Sequence, residues 1–504
     1  MIKRMCLVWA LVLIPVTAFG GEEQRLSLEE ALKIAVERNL DVQLQRITVN
    51  DREIGVGLAD AQYEPTITGS TSVSTATRGP QTQQEGDRSV SVSGNDIEST
   101  FRKSEWFGFG YSVSFANDKS SSSADNAFGD EYGASLSFGF TQELLNGFSL
   151  DKEVQRNTEY VAESNLAIAR QDLELTISNV LQQVEVAYWD LVSAIDQLKV
   201  NHQSRRLAQQ LYDQNKIKID VGTVAQIELV KAQADIARVE LDIVRSEHGV
   251  LAAEDRLKKE MNLPLDQWDN QIVVTDELTV EEISSNLEMD FQTAIKNRPE
   301  MTKNTQTTRQ AMMDLKVAKH NIVPKLTLQG GYTVAGQGRG STTGTGENAV
   351  PVPPANSQAW TQIFDRELPR WNVSLNATWK PFNRDAKLRK TRAEIALRQA
   401  QVGTEQLQIT LFQDVRNAIR DLESDIKSIK ASEHSLKLQR ENLKAEEQKF
   451  QNGLSTNYQV SQAQKTLSDS ESALIQARVA YKKSVIAYYK SKGMLAKSRK
   501  INIR

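Results

Sequence analysis

Cysteine is nearly absent from this chain of 504 residues: Cys6 is the only one. Its context removes even that one from the working molecule. Lys3 and Arg4 precede the apolar run Met5–Val16, and the small residues Ala18 and Gly20 follow. A charged start, a short apolar core and a small-residue exit describe a secretory signal peptide over residues 1–20. Cys6 lies ahead of the apolar core and is misplaced for lipid attachment, which needs a cysteine just after the run. The expected mature chain therefore has no thiol and no disulfide, although export would permit one, and packing alone must hold it together. Loss of Lys3 and Arg4 takes the net charge from −4 to −6. That balance excludes nucleic acid as an obvious partner. Prolines are few at 11, and aromatics make up only 6%, which suits a helix-rich chain. No later segment is apolar for long enough to span a bilayer as a helix. Membrane insertion, if it occurs, requires a β-barrel. The four histidines, His202, His248, His320 and His434, are scattered and show no metal-ligand spacing. Walker, Rossmann and nucleophile motifs are lacking. Cofactor, metal and catalytic residues are all expected to be none.

What is present is a long internal repeat. Glu37-Arg38-Asn39-Leu40-Asp41-Val42 aligns with Lys296-Asn297-Arg298-Pro299-Glu300-Met301, and without a gap Pro65 then falls on Pro324. In both copies a helical pattern ends before the proline, whose predecessor is pushed to extended geometry, and a polar–apolar alternation follows. Alternation predicts strands. Phe107, Phe109, Tyr111, Val113 and Phe115 alternate with glycine and serine; Leu136, Phe138 and Phe140 form a second set. Leu326, Leu328, Tyr332 and Val334 form a third, and Trp371, Val373, Leu375, Ala377 and Trp379 a fourth. Segment 66–75 is weaker. The other faces of these stretches carry Ser, Thr, Asn, Gln and Gly without charges, as in a membrane barrel with lipid outside and water inside. A sandwich with one solvated face would alternate in the same way. Trp106, Phe107, Tyr332, Trp371 and Trp379 are the candidate membrane-interface aromatics. The polar stretches 120–131 and 336–358 read as mobile external loops.

The remainder is helical. From about 150 to 219 there is no proline, and a helix of 70 residues would run roughly 105 Å. A seven-residue stripe starts at Leu229 and passes Ala232, Ile236, Val239, Ile243, Ser246, Val250, Ala253 and Leu257. Shifted by 231, it recurs as Val460, Ala463, Leu467, Ser470, Leu474, Ala477, Tyr481, Ser484 and Tyr488. A sustained seven-residue repeat implies helices wound about one another. The same shift puts Gly222 on Gly453. Each glycine reads as a helix C-cap in left-handed conformation, so that the chain reverses into an antiparallel hairpin, with Thr223 or Ser455 capping the returning helix.

Helix, proline-initiated strands and long helical hairpin, given twice, resemble the TolC family of outer-membrane channel-tunnels. Gln142-Glu143-Leu144-Leu145-Asn146-Gly147-Phe148 is similar to the family's Q-P-L-L-x-G-F stretch, with Glu143 in place of proline. Residues 371–401, with Pro381, resemble the strand-to-helix passage of the second half, and Val221-Gly222-Thr223 the family's V-G-T tip. The resemblance covers nearly all of 27–497. It implies a mixed, mostly α fold: long antiparallel helical hairpins form a periplasmic α-barrel below a transmembrane β-barrel shared by a homotrimer. The expected organisation is a first repeat over 21–285, a second over 286–497 and a basic tail over 498–504. The strands fall at about 66–143 and 325–381, and the tips at 222 and 453. Four strands per chain would give a trimer twelve. The count between Pro65 and Gly147 is awkward, because helices at both ends on one side require an even number of crossings. An added strand within 88–101 would resolve it, making six per chain.

The resemblance also assigns roles. Partners would be a periplasmic adaptor, an inner-membrane transporter of ABC or RND type and outer-membrane lipid. Val221, Gly222, Thr223, Asn452, Gly453 and Leu454 would be adaptor-docking tips. Glu228, Lys231, Phe450, Ser455, Gln459 and Gln462 would surround the periplasmic aperture. The family's paired aspartates, six and nine residues after the second tip glycine, are Gln459 and Gln462 here. Its tyrosine and arginine at the closing links are Phe450 and Ser455. The entrance would then be less cation-selective and held shut by packing around Phe450. These polar residues equally suit a merely solvated helix face. A different function, an exported trimeric coiled-coil adhesin or scaffold without channel activity, shares the signal segment and the helices but does not explain the strands. Cargo, and the choice between efflux and protein secretion, are not written in the residues.

Overall fold

The computed structural model describes residues 24–79, 89–123, 130–149, 151–220, 225–343 and 350–501, without the side chains of Val90 and of residues 341–351. The signal segment, Cys6, and the first-tip residues Val221, Gly222 and Thr223 lie outside the described residues. In chain order the elements are β1 (Gln24–Leu26), α1 (Leu28–Arg38), α2 (Leu40–Ala61), β2 (Thr66–Arg78), β3 (Val90–Ser104), β4 (Phe109–Ser122), β5 (Asp130–Glu143), α3 (Lys152–Gln155), α4 (Asn157–Asp220) and α5 (Ile227–Glu260). There follow β6 (Ile272–Val274), α6 (Leu287–Asn297), α7 (Pro299–His320), β7 (Lys325–Gly338), β8 (Ser341–Thr343), β9 (Val350–Val352), α8 (Asn356–Asp365), β10 (Leu368–Thr378), α9 (Arg384–Gln451), α10 (Asn457–Ser491) and α11 (Leu495–Ser498). The expected repeat is visible in this order. A helix pair α1–α2 and its counterpart α6–α7 each lead through a proline into a strand, and each half ends in a long helical hairpin. No helix among the described residues is long and apolar enough to cross a membrane.

The chain divides into two compact units. One comprises Met1–Ile47, Gln171–Met301 and Leu407–Arg504. Here β1 pairs in parallel with β6, and a core of Leu32, Ile177, Leu181, Tyr188, Leu257 and Ile486 gathers α1, α4, α5 and α10. A second core joins α9 to α10. On α9 it takes Leu422, Ile429, Leu436, Leu443 and Phe450, one residue every heptad, so Phe450 ends a coiled-coil seam. The facing stripe on α10 is the one read from the sequence: Val460, Ala463, Leu467, Leu474, Ala477, Tyr481 and Tyr488 are all buried. At the α10 terminus Asp290 accepts a hydrogen bond from Tyr488 Oη at 2.8 Å and an ion pair from Lys492 at 2.6 Å. The basic tail is tied down at its start, where Arg499 pairs with the buried Glu185.

The other unit comprises Thr48–Arg170 and Thr302–Gln406. Its centre is one six-stranded antiparallel sheet in the order β10-β7-β5-β4-β3-β2. The strand suspected within 88–101 is β3, and the weak segment 66–75 is β2, three residues longer. The first half thus contributes four strands and the second two, which satisfies the even count. The register brings the apolar residues onto one face, where Lys103 and the Lys119–Asp130 pair are the charges, each near a strand end. Ile67, Phe101, Val113, Phe138, Tyr332 and Trp371 are successive cross-strand partners through all six strands. The opposite face is the polar one, but not free of charge as the shorter stretches suggested. The added length of β3 and β4 puts Asp96, Glu98, Arg102 and Asp118 there, with Ser72 donating to Asp96 at 2.8 Å. A wet face tolerates what a lipid face would not.

Part of the expected loop 336–358 is ordered structure. β7 continues to Gly338, β8 and β9 form a small antiparallel pair, and α8 begins at Asn356. Glycine and serine content suggested loop, but tertiary contact overrides it: α8 packs against β7 and β5 through Ala359 and Ile363, with Val334 and Ala134 beneath.

Candidate functional site

Two features bear on function, one in each unit. In the sheet unit the apolar face is uncovered over most of its extent. Trp371 is 78% exposed, Trp379 just past β10 is 69% exposed, and the residues between them, Val373 and Leu375, are exposed as well. Trp379 follows Trp371 by eight positions, roughly 26 Å along the chain, which at a barrel strand's tilt of about 40° is about 20 Å of height, within an apolar band of about 25 Å. Tyr332 lies directly across from Trp371. Trp106 and Phe107 occupy the turn between β3 and β4, at the end from which β10 leads on to Trp379. Their rings meet edge to face at 5.6 Å, and Lys152 Nζ lies 5.8 Å from the Trp106 centroid. Tyr332 and Trp371 thus lie side by side on the exposed face, with Trp106, Phe107 and Trp379 toward the end of the strands that leads to the helices.

In the helical unit the α9–α10 reversal is resolved in detail. Gly453 has φ +75°, a left-handed conformation that favours glycine. Leu454 N–H donates to Lys449 at 2.8 Å and Gly453 N–H to Phe450 at 3.2 Å, the paired bonds of a Schellman cap. The returning helix is capped by Thr456, not Ser455: Thr456 and Gln459 form a reciprocal capping box. Ser455 instead donates to Glu446 at 2.8 Å, with Gln459 Oε1 3.0 Å from the same hydroxyl oxygen. The Lys449 hydrogen bond, then that from Ser455, holds the Glu446 carboxyl below its usual range. Asn452 is exposed and Leu454 is 79% exposed. Gln462 faces solvent with Gln459 on the same helix.

The structure describes the first hairpin on both sides of its tip. Glu228 pairs with Lys231 at 2.7 Å, so Glu228 has a counter-charge within its own helix. The two hairpins are joined behind the tips by residues that the sequence reading passed over. Asn215 Nδ2 donates to Asn457 Oδ1 at 2.8 Å, both residues buried. Asn457 Nδ2 donates to the Glu228 carbonyl at 3.3 Å. Lys218 Nζ donates to the Phe450 carbonyl at 2.6 Å and lies 3.6 Å from the Phe450 ring centroid. Burial pushes the Lys218 ammonium below the usual lysine range. A signal was present. Asn457 is one step before the Val460 stripe, and Asn215 continues the steps of Ala208 and Leu211. A polar residue in an apolar seam is a register-fixing device. Farther along the same helices, a polar groove of about 340 Å³ lies between α4, α5 and α10, lined by Asn201, Ser204, Asp235, Ser461 and Ser468.

Comparison with known proteins agrees with these features. The family model described as outer membrane efflux protein matches residues 108–263 and 291–493, one segment in each half. No curated protein matches. Three solved structures are similar over nearly their whole length. The CmeC outer membrane channel of Campylobacter jejuni is 17% identical, with a TM-score of 0.65, 93% of this chain covered and 86% of that one. The outer membrane protein VceC of Vibrio cholerae is 13% identical, with a TM-score of 0.64 and coverages of 92% and 96%. The open state of the MtrE outer membrane channel of Neisseria gonorrhoeae is 15% identical, with a TM-score of 0.61 and coverages of 93% and 89%. At such identities the likeness is one of fold. With the family model spanning well over half of the chain, and the doubled architecture in place, this chain belongs to the outer membrane efflux protein family, whose members are transport conduits of the TolC type.

Proposed function

We propose that three copies of this chain form the exit duct of a tripartite efflux or type I secretion system, closing one β-barrel in the outer membrane above a periplasmic tunnel of helices. The observation that carries the proposal is the single apolar face shared by all six strands and bounded by Trp371 and Trp379. Six strands are too few for a membrane barrel, for which about eight is the minimum, and β2 and β10 are free edges within one chain. Three copies supply eighteen strands and remove every edge. A further support is the stripe Leu388, Ile395, Val402 and Ile409 on α9, one residue per heptad and each 45–69% exposed, which suits burial against a neighbouring copy.

The tips serve as the adaptor-docking end. Leu454 and Tyr458 on one hairpin and Ile227 and Val230 on the other are apolar and exposed, and a partner hairpin would bury them. Asn452 and Gly453 belong to the same surface as Leu454; for Val221, Gly222 and Thr223, which lie outside the described residues, the docking role rests on the sequence resemblance of the V-G-T tip. The aperture is lined by Glu228, Lys231, Gln459 and Gln462, and Phe450 supports its closed form. An inner-membrane transporter of ABC or RND type supplies the energy, as the family resemblance implies.

The test is extraction and conductance. The duct requires detergent, runs as a heat-modifiable trimer and conducts in planar bilayers. A protein that stays soluble without detergent and shows no conductance would instead be the coiled-coil scaffold. Photo-crosslinking from Leu454 then identifies the adaptor.

A further inference from the structure

The added helix α8 stands apart from both the duct and the tips. It lies on the apolar face of the sheet, not the polar one. Ala359 is fully buried and Ile363 is 5% exposed, packed over Val334 and Ala134. Trp360 stacks on Phe115 with centroids 4.9 Å apart and planes at 21°. The sheet is shaped to receive it. A Cβ at Gly336 would stand 1.8 Å from the Ala359 carbonyl oxygen, and one at Gly338 2.1 Å from that of Ala355. Both ends are pinned: Asn356 and Asn117 exchange hydrogen bonds at 2.9 and 3.2 Å, and Gln337 N–H donates to Gln362 at 2.8 Å.

Its level along the strands is set by register. Tyr332 faces Trp371, and α8 sits over Val334, Gly336 and Gly338, beyond that pair on the side away from α7 and α9. The apolar band thus ends at Trp371 and passes beneath a helix. The surface that α8 turns outward is mixed. Ser357 and Thr361 are exposed, the Thr361 hydroxyl being satisfied by the Ser357 carbonyl at 3.0 Å. Phe364, one turn on, is 78% exposed, its ring 6.4 Å from Trp360. On the face that α8 covers, Pro369 stands opposite Val334, next to the Tyr332–Trp371 pair, so the helix adjoins the band directly. A hydrocarbon interior suits the phenyl ring but not the hydroxyls, and water the reverse. The headgroup boundary accepts both, and aromatic rings concentrate there.

We infer that α8 is an interfacial helix, a clamp on the outer face of the barrel whose Phe364 and Trp360 seat in the headgroup layer of the outer leaflet. It commits the surface to lipid, and the support is its continuity with the Trp371 band. The inference rests on the reading that this face of the sheet is the lipid face.

The chain lends itself to a direct test, since replacing Cys6 by serine leaves no thiol. A nitroxide is attached to the full chain at Phe364→Cys, at Thr361→Cys one turn away, and at Leu375→Cys in the middle of the band. The proteins are reconstituted in vesicles of phosphatidylethanolamine and phosphatidylglycerol, and collision with oxygen and with a water-soluble nickel chelate is measured. The expected result is that the Phe364 and Thr361 labels meet both agents, oxygen in excess at Phe364, at a depth near the phosphates and shallower than Leu375. A Phe364 label reached several-fold better by nickel than by oxygen places α8 in water and overturns the inference. An immobilised label shielded from both agents assigns the surface to a neighbouring copy and overturns it as well. If Leu375 itself is reached mainly by nickel, it is the lipid face of the sheet that fails, and α8 falls with it.

Discussion

Lys218 and Phe450, residues of different hairpins, form a single contact of two kinds: the ammonium lies 3.6 Å from the ring centroid and 2.6 Å from the carbonyl of the same residue. Phe450 terminates the α9 seam, and its carbonyl, which accepts the Gly453 amide at 3.2 Å in the cap, offers its second lone pair to the lysine. The lysine closes that end and covers the ring. Lys218→Met keeps the aliphatic packing and removes the charge. Loss of a cation–π contact and a charged hydrogen bond is expected to cost roughly 1–3 kcal/mol. In bilayers the variant should show a larger or more frequently open conductance, with Lys218→Arg intermediate. Unchanged conductance in both would mean that this contact does not hold the entrance.

Gly453 has open space where a Cβ would go, so its role is conformational alone. Gly453→Ala must hold φ near +75° against a penalty of about 1–2 kcal/mol, and Gly453→Asn less. Hydrogen exchange of the amides from Lys449 to Thr456 should quicken in that order, while exchange along the middle of α9 does not change. Uniform quickening throughout α9 would show that the tip is coupled to the whole hairpin.

Gln459 and Gln462 look alike in sequence but not in structure. Both are exposed, but Gln459 Oε1 accepts from the Thr456 amide at 3.0 Å and is part of the helix cap. Gln459→Ala should lower stability by roughly 0.5–2 kcal/mol and leave the reversal potential in a salt gradient unchanged. Gln462→Asp should shift that potential toward cations, because in the proposed trimer one carboxylate becomes a ring. A shift with the first variant and none with the second would reverse the assignment.

Asp290 is 5% exposed and serves both Lys492 and Tyr488. Asp290→Asn leaves the ammonium without its counter-charge, and removing one member of a buried pair costs roughly 3–5 kcal/mol. Thermal melting should show it. The pH dependence has a definite sign. Burial alone would lower the Lys492 pKa, but the hydrogen bonds to Asp290 and Tyr488 outweigh it and raise it above 10.5. A raised folded-state value means that the contribution is complete below 10.5 and lost as pH rises through the folded value. Alkaline destabilisation beyond pH 10.5 should therefore be smaller in Asp290→Asn than in the parent chain.

Much was legible in the residues alone. The spacing of Ala232 to Leu257 and of Val460 to Tyr488 follows from local chain geometry: a helix shows the same face every seven residues, so a buried stripe must be written into the sequence. Gly453 is equally local, since only its own backbone angle requires glycine. Pro65 and Pro324 end their helices by sterics with their immediate neighbours. From such signals came the repeat, the hairpins, the apolar face of the strands and the family resemblance. What only the tertiary structure decided involves partners distant in the chain. β3 alternates poorly and is a strand because β2 and β4 flank it. α8 is a helix resting where Gly336 and Gly338 leave room for its backbone. Asn215, Asn457 and Lys218 gain their meaning from hairpins more than 200 residues apart, and Thr456 displaced Ser455 as cap because Glu446, a turn back on α9, binds the serine hydroxyl. Periodicity records which side of an element is buried; it does not record against what.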